Sequence, residues 1–162
     1  MEQKTEDRKK ATLIVISGDF DKLFAAFTIA TGAAAANMDV TMFFTFWGMR
    51  AIKKDMRTGR GLFGRMVGLI EGGDIKKANP SKYGFAGMGR WMFGKMMKNK
   101  NVASLTELRQ LALDLGVKMY SCVTSMEVME IEREQLIDEV SDVAGVALMI
   151  EKSQQSEISL FI

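Results

Sequence analysis

Val117-Lys-Met-Tyr-Ser-Cys122, followed at once by Val123-Thr-Ser-Met-Glu127, decides the fold of this chain. The first stretch is short, apolar and strand-like, and the second carries a helix-start signal at Thr124. A strand that passes directly into a helix is typical of α/β proteins. It places Cys122, the only cysteine of the chain, at a strand end, where an α/β protein would hold a reactive sulfur.

Strand and helix patterns alternate on both sides of this stretch. Upstream, Thr12–Ser17 and Val40–Thr45 are predicted strands on either side of a helix over roughly 20–37. Other predicted elements are a helix start over Trp47–Lys54, a helix from the Ser104–Glu107 capping box to Gly116, helices at Thr124–Met129, Arg133–Val140 and Val146–Lys152, and strands Asp142–Ala144 and Glu157–Ile162. The alternation predicts an α/β fold with a mainly parallel sheet of four to five strands.

Residues 55–100 differ in composition from the rest of the chain. They contain the only proline and most of the glycines, together with two apolar-basic clusters at Leu62–Ile70 and Met88–Met97. We interpret this segment as a Gly/Met-rich insertion with a mobile portion and one or two short helices. The chain of 162 residues is otherwise expected to form a single domain, 1–162.

The composition excludes several kinds of chemistry. The chain has no histidine, which removes Ser-His-Asp and Cys-His catalysis and zinc sites that need imidazole. A single cysteine cannot form an intrachain disulfide, so a reducing, cytoplasmic location is expected. Residues 1–10 are charged and lack the apolar core of a signal peptide. We expect no metal and no organic cofactor.

Charge and hydropathy limit the kinds of partner. Residues 53–100 contain 12 basic and 3 acidic side chains, whereas residues 101–162 contain 4 basic and 11 acidic ones. Such a dipolar chain is suited to self-association or to a charged partner. A nucleic-acid partner is not expected, because no dense basic face or recognisable module is present. Leu23–Met38 is uncharged but short for a spanning helix, which favours a buried helix.

The candidate site lies where the predicted strands end. If the first and third strands are neighbours, Cys122 lies close to Gly18 and Asp19, and helix N-terminal amides facing the sulfur would lower the thiol pKa. The side chains expected to support the helix start are Thr124 and Ser125, and those expected to wall the pocket are Phe46 and Trp47. The alternative is that Cys122 is a small buried hydrophobe without chemistry.

Three stretches together resemble the DsrE/DsrF-like sulfur-relay family, in its longer, insertion-bearing subgroup. They are Ile16–Lys22, Met42–Gly48, and Cys122–Met129 with the downstream Glu134–Asp138 and Ala144–Ala147. The resemblance implies a flavodoxin-like three-layer domain that forms homo-oligomers. It also implies that Cys122 accepts sulfur as a persulfide and passes it to a partner thiol, as a sulfur carrier or sulfurtransferase. The implied partners are sulfur-donor and sulfur-acceptor proteins or small sulfane compounds.

A second hypothesis belongs to a different class of function. The chain would be a non-catalytic oligomeric scaffold whose interaction surface is the basic insertion, with Cys122 inert in the core. The basic and apolar residues of the insertion also permit contact with a membrane surface, although packing or self-association is the favoured interpretation.

Overall fold

The computed structural model describes residues 8–56, 58–70, 73–81 and 87–162. The prediction about a signal peptide falls mainly on residues 1–7, outside the described residues. The strands are β1 (Lys10–Val15), β2 (Asp39–Phe44), β3 (Lys118–Cys122), β4 (Asp142–Ala144) and β5 (Ile158–Phe161). The α-helices are α1 (Phe20–Ala35), α2 (Leu62–Ile70), α3 (Met88–Asn99), α4 (Leu105–Asp114), α5 (Val123–Val128) and α6 (Val146–Gln154), and 3₁₀ helices cover Phe46–Ile52, Ile75–Lys77 and Arg133–Gln135.

The five strands form one parallel sheet in the order β4-β3-β2-β1-β5. Side chains alternate across it, as the pleat requires. On one face Leu13 of β1 is opposite Met42 of β2, which is opposite Met119 of β3, and all three side chains are fully buried. This row is the centre of the core. The predicted α/β fold with a mainly parallel sheet is therefore confirmed.

The helices cover the sheet in two layers. Helices α1 and α4 pack against each other, and α1 also contacts β1 and β2. Phe27 of α1 is fully buried, with its ring centroid 6.2 Å from that of Phe44 in β2. The chain runs from β1 through β2 and β3 to β4 in one direction, and then returns across the sheet to β5. Because such crossovers are right-handed, the returning α6 lies on the opposite face from α1.

Most of the predicted elements form close to their expected positions. The capping box at α4 is present, since Ser104 Oγ accepts from the Glu107 amide and Glu107 Oε2 accepts from the Ser104 amide. Gly116 ends that helix with φ 80°, a conformation that glycine adopts without strain. Most of the uncharged run that begins at Leu23 lies in the 16-residue helix α1, which starts earlier, at Phe20, and ends at Ala35. None of the helices in the described part of the chain is long and apolar enough to cross a membrane.

The helix predicted over Arg133–Val140 is wrong. Only the 3₁₀ turn Arg133–Gln135 forms, and Leu136 then makes an antiparallel bridge with Lys53. The Arg133 guanidinium donates to the carbonyl oxygens of Ile137 and Val140, at 3.1 Å each. In an α-helix the backbone groups of residues 133–140 would bond to one another. Here several of them bond instead to residues 52–54 and to the Arg133 side chain, so no α-helix forms.

The insertion was expected to contain one or two short helices, and both of its apolar-basic clusters form helices, α2 and α3. The insertion is fixed to the rest of the chain by polar contacts. Glu130 accepts from the amides of Arg60 and Gly61, and these hydrogen bonds, Gly61 first, lower the pKa of its carboxyl group. Ser81 donates through its amide and its hydroxyl to the Asp21 carboxylate, at 2.9 and 2.8 Å. The mobility of part of the insertion stays a prediction.

Candidate functional site

Cys122 is the last residue of β3 and the N-cap of α5. Its Cα is paired with that of Ala144, the last residue of β4, so both strands end at the same level of the sheet. Cys122 as a residue is partly exposed rather than sealed in the core. This position disfavours the interpretation of Cys122 as an inert, fully buried hydrophobe.

The position of Cys122 follows from the topology. The chain continues from β3 into α5 without leaving that edge of the sheet, whereas from β4 it turns at Gly145 into α6 and crosses back. Adjacent parallel strands whose connections run in opposite directions leave a crevice at their carboxyl ends. Cys122 and Ala144 stand on either side of that crevice.

Two hydroxyl groups lie beside the thiol. Thr45 follows the end of β2, the strand next to β3, and Ser125 belongs to the first turn of α5. Their oxygen atoms are 2.7 Å apart, and Ser125 is buried. No conventional side-chain cap hydrogen bond is made by Cys122 itself. The hydroxyls and the neighbouring amides are therefore available to a negative charge on the sulfur.

These groups determine the pKa of the thiol. Burial raises the pKa of Cys122. Four hydrogen-bond donors lower it, namely the Ser125 hydroxyl and amide, the Thr45 hydroxyl and the Thr124 amide. The donors outweigh burial, so the pKa lies below the usual value of 9.0. Within the described part of the chain, the groups that lower this pKa are neutral hydroxyl and amide dipoles rather than cationic side chains.

The two hydroxyl groups together can donate one or two hydrogen bonds to the sulfur. Thr45 and Ser125 each carry one hydroxyl hydrogen, and either one can donate to the other across their 2.7 Å contact. If one hydrogen is used between the two oxygens, the other is free to point at the sulfur. Rotation of the first hydroxyl then supplies a second donor to a thiolate. The pair can thus adjust to the charge of Cys122 without movement of heavy atoms.

Gly18 and Asp19 lie further from Cys122 than the sequence suggested. The condition that β1 and β3 are neighbours is not met, because β2 lies between them. Asp19 is the N-cap of α1, as expected, but its carboxylate makes no cap hydrogen bond; Oδ2 instead accepts from Ser17 Oγ at 3.0 Å and from Lys22 Nζ at 3.2 Å. The negative charge of Asp19 is therefore bonded to its neighbours Ser17 and Lys22, and strand β2 lies between it and the thiol.

Trp47 lines a cavity of about 350 Å³ at the end of β1, together with Gly18, Asp19 and Arg50. Cys122 is not part of that lining. Phe46 is about 40% exposed and has φ 44°, a left-handed conformation that turns the chain sharply after Thr45. That Phe46 and Trp47 wall a pocket around the sulfur stays a prediction.

Gly48 explains why the turn after β2 is so tight. Its amide donates to the Ile16 carbonyl at 2.8 Å and to the Thr45 carbonyl at 3.0 Å. A Cβ atom at this position would overlap the Val15 carbonyl group of β1. Only glycine permits this approach, which holds the loop that carries Thr45 against the end of β1.

Gly48→Ala is therefore expected to destabilise the protein by about 2 kcal/mol or more, because backbone rather than a flexible side chain must move. Urea unfolding measures the change. Gly145→Ala is the matched control, since an added Cβ there meets nothing within 4 Å. Equal stability of the two variants would contradict this assignment.

The residue that sequence reasoning missed is Thr45. It was placed only as the end of a predicted strand, and a threonine at a strand end has no distinctive pattern. Its contact with Ser125 spans 80 residues and depends on β2 being next to β3. Ser125 and Thr124, which were predicted to support the helix start, do lie beside the sulfur.

Among residues 8–56, 58–70, 73–81 and 87–162, no three His, Cys, Asp or Glu side chains are close enough together to hold a metal ion.

The five-stranded parallel sheet with Cys122 at the end of β3 agrees with the family that sequence comparison identifies. The profile of the DsrE/DsrF/DrsH-like family matches residues 7–161, and the chain belongs to that family. It is 38% identical over 160 residues to the "Uncharacterized protein YrkE" of Bacillus subtilis, covering 98% of this chain and 99% of that protein. It is 31% identical over 159 residues to the "Sulfur carrier protein DsrE2" of Allochromatium vinosum, covering 96% and 99%.

Solved structures agree on the fold. The YchN protein of Escherichia coli aligns with a TM-score of 0.54 at 13% identity, over 94% of this chain and 99% of that one. MTH1491 of Methanobacterium thermoautotrophicum, a protein of unknown function, aligns with a TM-score of 0.54 at 9% identity, over 95% and 99%. At these identities the likeness concerns the fold alone. The family and the sulfur-carrier relative support a sulfur-relay role in general.

Proposed function

We propose that this protein is a sulfur carrier in which Cys122 accepts sulfane sulfur as a persulfide and passes it to a partner thiol. The observation that carries the proposal is the environment of Cys122, where two hydroxyls and two amides favour the thiolate of a partly exposed cysteine. Family membership and the similarity to a sulfur carrier protein supply the class of chemistry.

Loading is a displacement at sulfur. The Cys122 thiolate attacks the outer sulfur of a donor persulfide, R–S–SH, and a new S–S bond forms between them. The donor S–S bond breaks, and its electron pair leaves on R–S⁻, which takes a proton from water. The outer sulfur keeps its own proton, so the product is Cys122–S–SH. Nothing is oxidised or reduced overall, and no further reactant is needed.

Transfer is the same displacement in reverse. An acceptor thiolate attacks the outer sulfur of the Cys122 persulfide, and Cys122 leaves as a thiolate. The Thr45 and Ser125 hydroxyls act in both directions, because they favour the thiolate as a nucleophile and as a leaving group.

The absence of a second cysteine suits a carrier. A persulfide attacked by another thiol of the same chain would lose its outer sulfur and become a disulfide. No such thiol exists in the sequence, so the sulfur is held until a partner arrives. The partners would be donor and acceptor proteins or small sulfane compounds, and a reducing compartment such as the cytoplasm would keep Cys122 free. Homo-oligomerisation stays a prediction.

Intact mass spectrometry tests the proposal. Protein incubated with a sulfane-sulfur donor is expected to gain the mass of one sulfur atom, and a reductant is expected to remove it. Cys122→Ser should gain nothing under the same conditions. If wild type and Cys122→Ser give the same spectra, the sulfur-carrier function is excluded.

A further inference from the structure

Helices α2 and α3 expose many of their large apolar side chains. Eight of those that the structure describes are between 44% and 79% exposed: Leu62, Phe63, Met66 and Leu69 on α2, and Met88, Trp91, Met92 and Met96 on α3. We call these eight the outer stripe. Their spacing of three and four residues puts the members of each helix on one face. Amphipathic helices of soluble proteins normally bury that face, so a surface outside the described part of the chain is expected to cover it.

The inner side of α2 cannot accept such side chains. Gly64 and Gly68 are buried there, and a Cβ on either one would overlap the Glu130 carboxylate or the Thr58 carbonyl. The outward orientation of Phe63 and Leu69 is thus built into the packing of the helix. A simple rotation of α2 would not bury them.

The inner side of α3 is held in a comparable way. Gly89 is buried, and the Arg90 guanidinium donates to the Lys77 carbonyl at 2.9 Å. The ring of Phe93 lies 6.2 Å from that of Phe20 at the start of α1. These contacts hold one side of α3 against the rest of the protein. Trp91 lies on the other side and is 67% exposed.

The charge of the two helices identifies the kind of surface they fit. Neither α2 nor α3 contains an acidic residue. Arg90 is bonded to the Lys77 carbonyl and Arg65 acts on the Glu130 carboxylate, so the cations beside the outer stripe are the exposed Lys95 and Lys98 of α3. Lys95 Nζ lies 5.4 Å from the centre of the Trp91 ring, beside the outer stripe. Apolar side chains with an aromatic ring, flanked by cations and free of acidic groups, match an anionic lipid surface, where the stripe enters the acyl boundary and the cations meet the headgroups.

We propose that the outer stripe of α2 and α3 docks the protein peripherally on an anionic lipid surface. The docking is independent of Cys122, so it goes beyond the proposed sulfur-carrier function. A second copy of the chain, whose residues 101–162 carry 11 acidic and 4 basic side chains, is the alternative occupant, and the oligomeric state of the triple variant distinguishes it from a lipid surface. An anionic lipid surface covers both parts: the acyl boundary takes up the apolar stripe, and the headgroups supply the counter-charges for the flanking cations.

Vesicle co-sedimentation of the full-length protein tests this proposal. Vesicles that contain phosphatidylglycerol are expected to bind the protein at low salt about tenfold or more tightly than pure phosphatidylcholine vesicles, and 0.5 M salt is expected to weaken the binding. Phe63→Ser/Leu69→Ser/Trp91→Ser should lose about tenfold or more of the binding, because these exposed side chains supply the apolar contact. Phe161→Ser is the matched control, since Phe161 is also 67% exposed but lies in β5.

A second readout follows Trp91 directly. In a Trp47→Phe background, Trp91 is the only tryptophan, and its emission is expected to shift to the blue with phosphatidylglycerol vesicles. Cys122→Ser should bind vesicles like wild type, so failure here is separate from failure of the sulfur chemistry. Absence of binding to anionic vesicles, or equal binding by the triple variant, would overturn the proposal. A third outcome would also overturn it. If wild type does not bind vesicles and the triple variant loses an oligomer that wild type forms, the outer stripe is a contact between copies of the chain.

Discussion

Replacing Thr45 by valine and Ser125 by alanine together is expected to slow alkylation of Cys122 roughly three- to tenfold at neutral pH. Both substitutions remove a hydroxyl that favours the thiolate, so the thiol pKa of the variant should move up toward its usual value. A hydrogen bond to a charged group contributes about 1.5–3 kcal/mol, and the lower end applies to a partly exposed cysteine. Part of the loss is offset, because a thiolate of higher pKa is intrinsically more nucleophilic.

The pH dependence of alkylation separates these two effects. The rate follows the thiolate fraction, so the wild-type profile should rise at a lower pH than that of an ordinary thiol, and the variant profile should rise at a higher pH than wild type. Thr45→Ser, which keeps the hydroxyl, is the matched control and should behave like wild type. A profile whose midpoint does not change in the double variant would show that the hydroxyl pair does not act on Cys122.

Phe27→Ala is expected to lower the free energy of unfolding by about 3–5 kcal/mol. Phe27 is fully buried between α1 and the sheet, against Phe44, and truncation removes both its apolar contact and the filling of that space. Because domains of this kind are stable by only about 5–15 kcal/mol, the variant should be close to unfolding at ambient temperature. Urea unfolding followed by circular dichroism measures the change.

Phe161→Ala serves as the control for the loss of a ring. Phe161 is 67% exposed at the edge of the sheet, and its truncation is expected to change stability by no more than about 0.5 kcal/mol. If Phe27→Ala were as stable as Phe161→Ala, the packing of Phe27 against Phe44 would not contribute to the core.

Local patterns in the sequence were sufficient for most of the elements. The apolar β-branched run at Thr12–Ser17 corresponds to β1, the Ser104–Glu107 pair caps α4 as expected, and the passage from strand to helix at Cys122 is present. Each of these signals depends on residues within a few positions of one another. Such features are decided by backbone and capping energetics that the local sequence contains.

The surroundings of the candidate site depended on contacts far apart in the chain. Strand order decides whether Gly18 or Thr45 lies beside Cys122, and no local pattern contains that order. The same reason explains the wrong helix after Arg133, since the pairing of Leu136 with Lys53 connects residues 83 positions apart. The composition of the insertion likewise indicated one or two short helices without indicating that the apolar faces of α2 and α3 point outward.

The most direct test of the sulfur-carrier account is transfer of a loaded sulfur atom in a single turnover. Protein loaded with one sulfane sulfur is separated from the donor, mixed with an acceptor protein that has one reactive thiol, and followed by intact mass spectrometry. The account predicts that the carrier loses the mass of one sulfur while the acceptor gains it, and that the loaded carrier keeps its sulfur when the acceptor thiol is blocked. A loaded carrier that never passes its sulfur to any acceptor thiol, or an acceptor loaded equally well by Cys122→Ser protein, would contradict it.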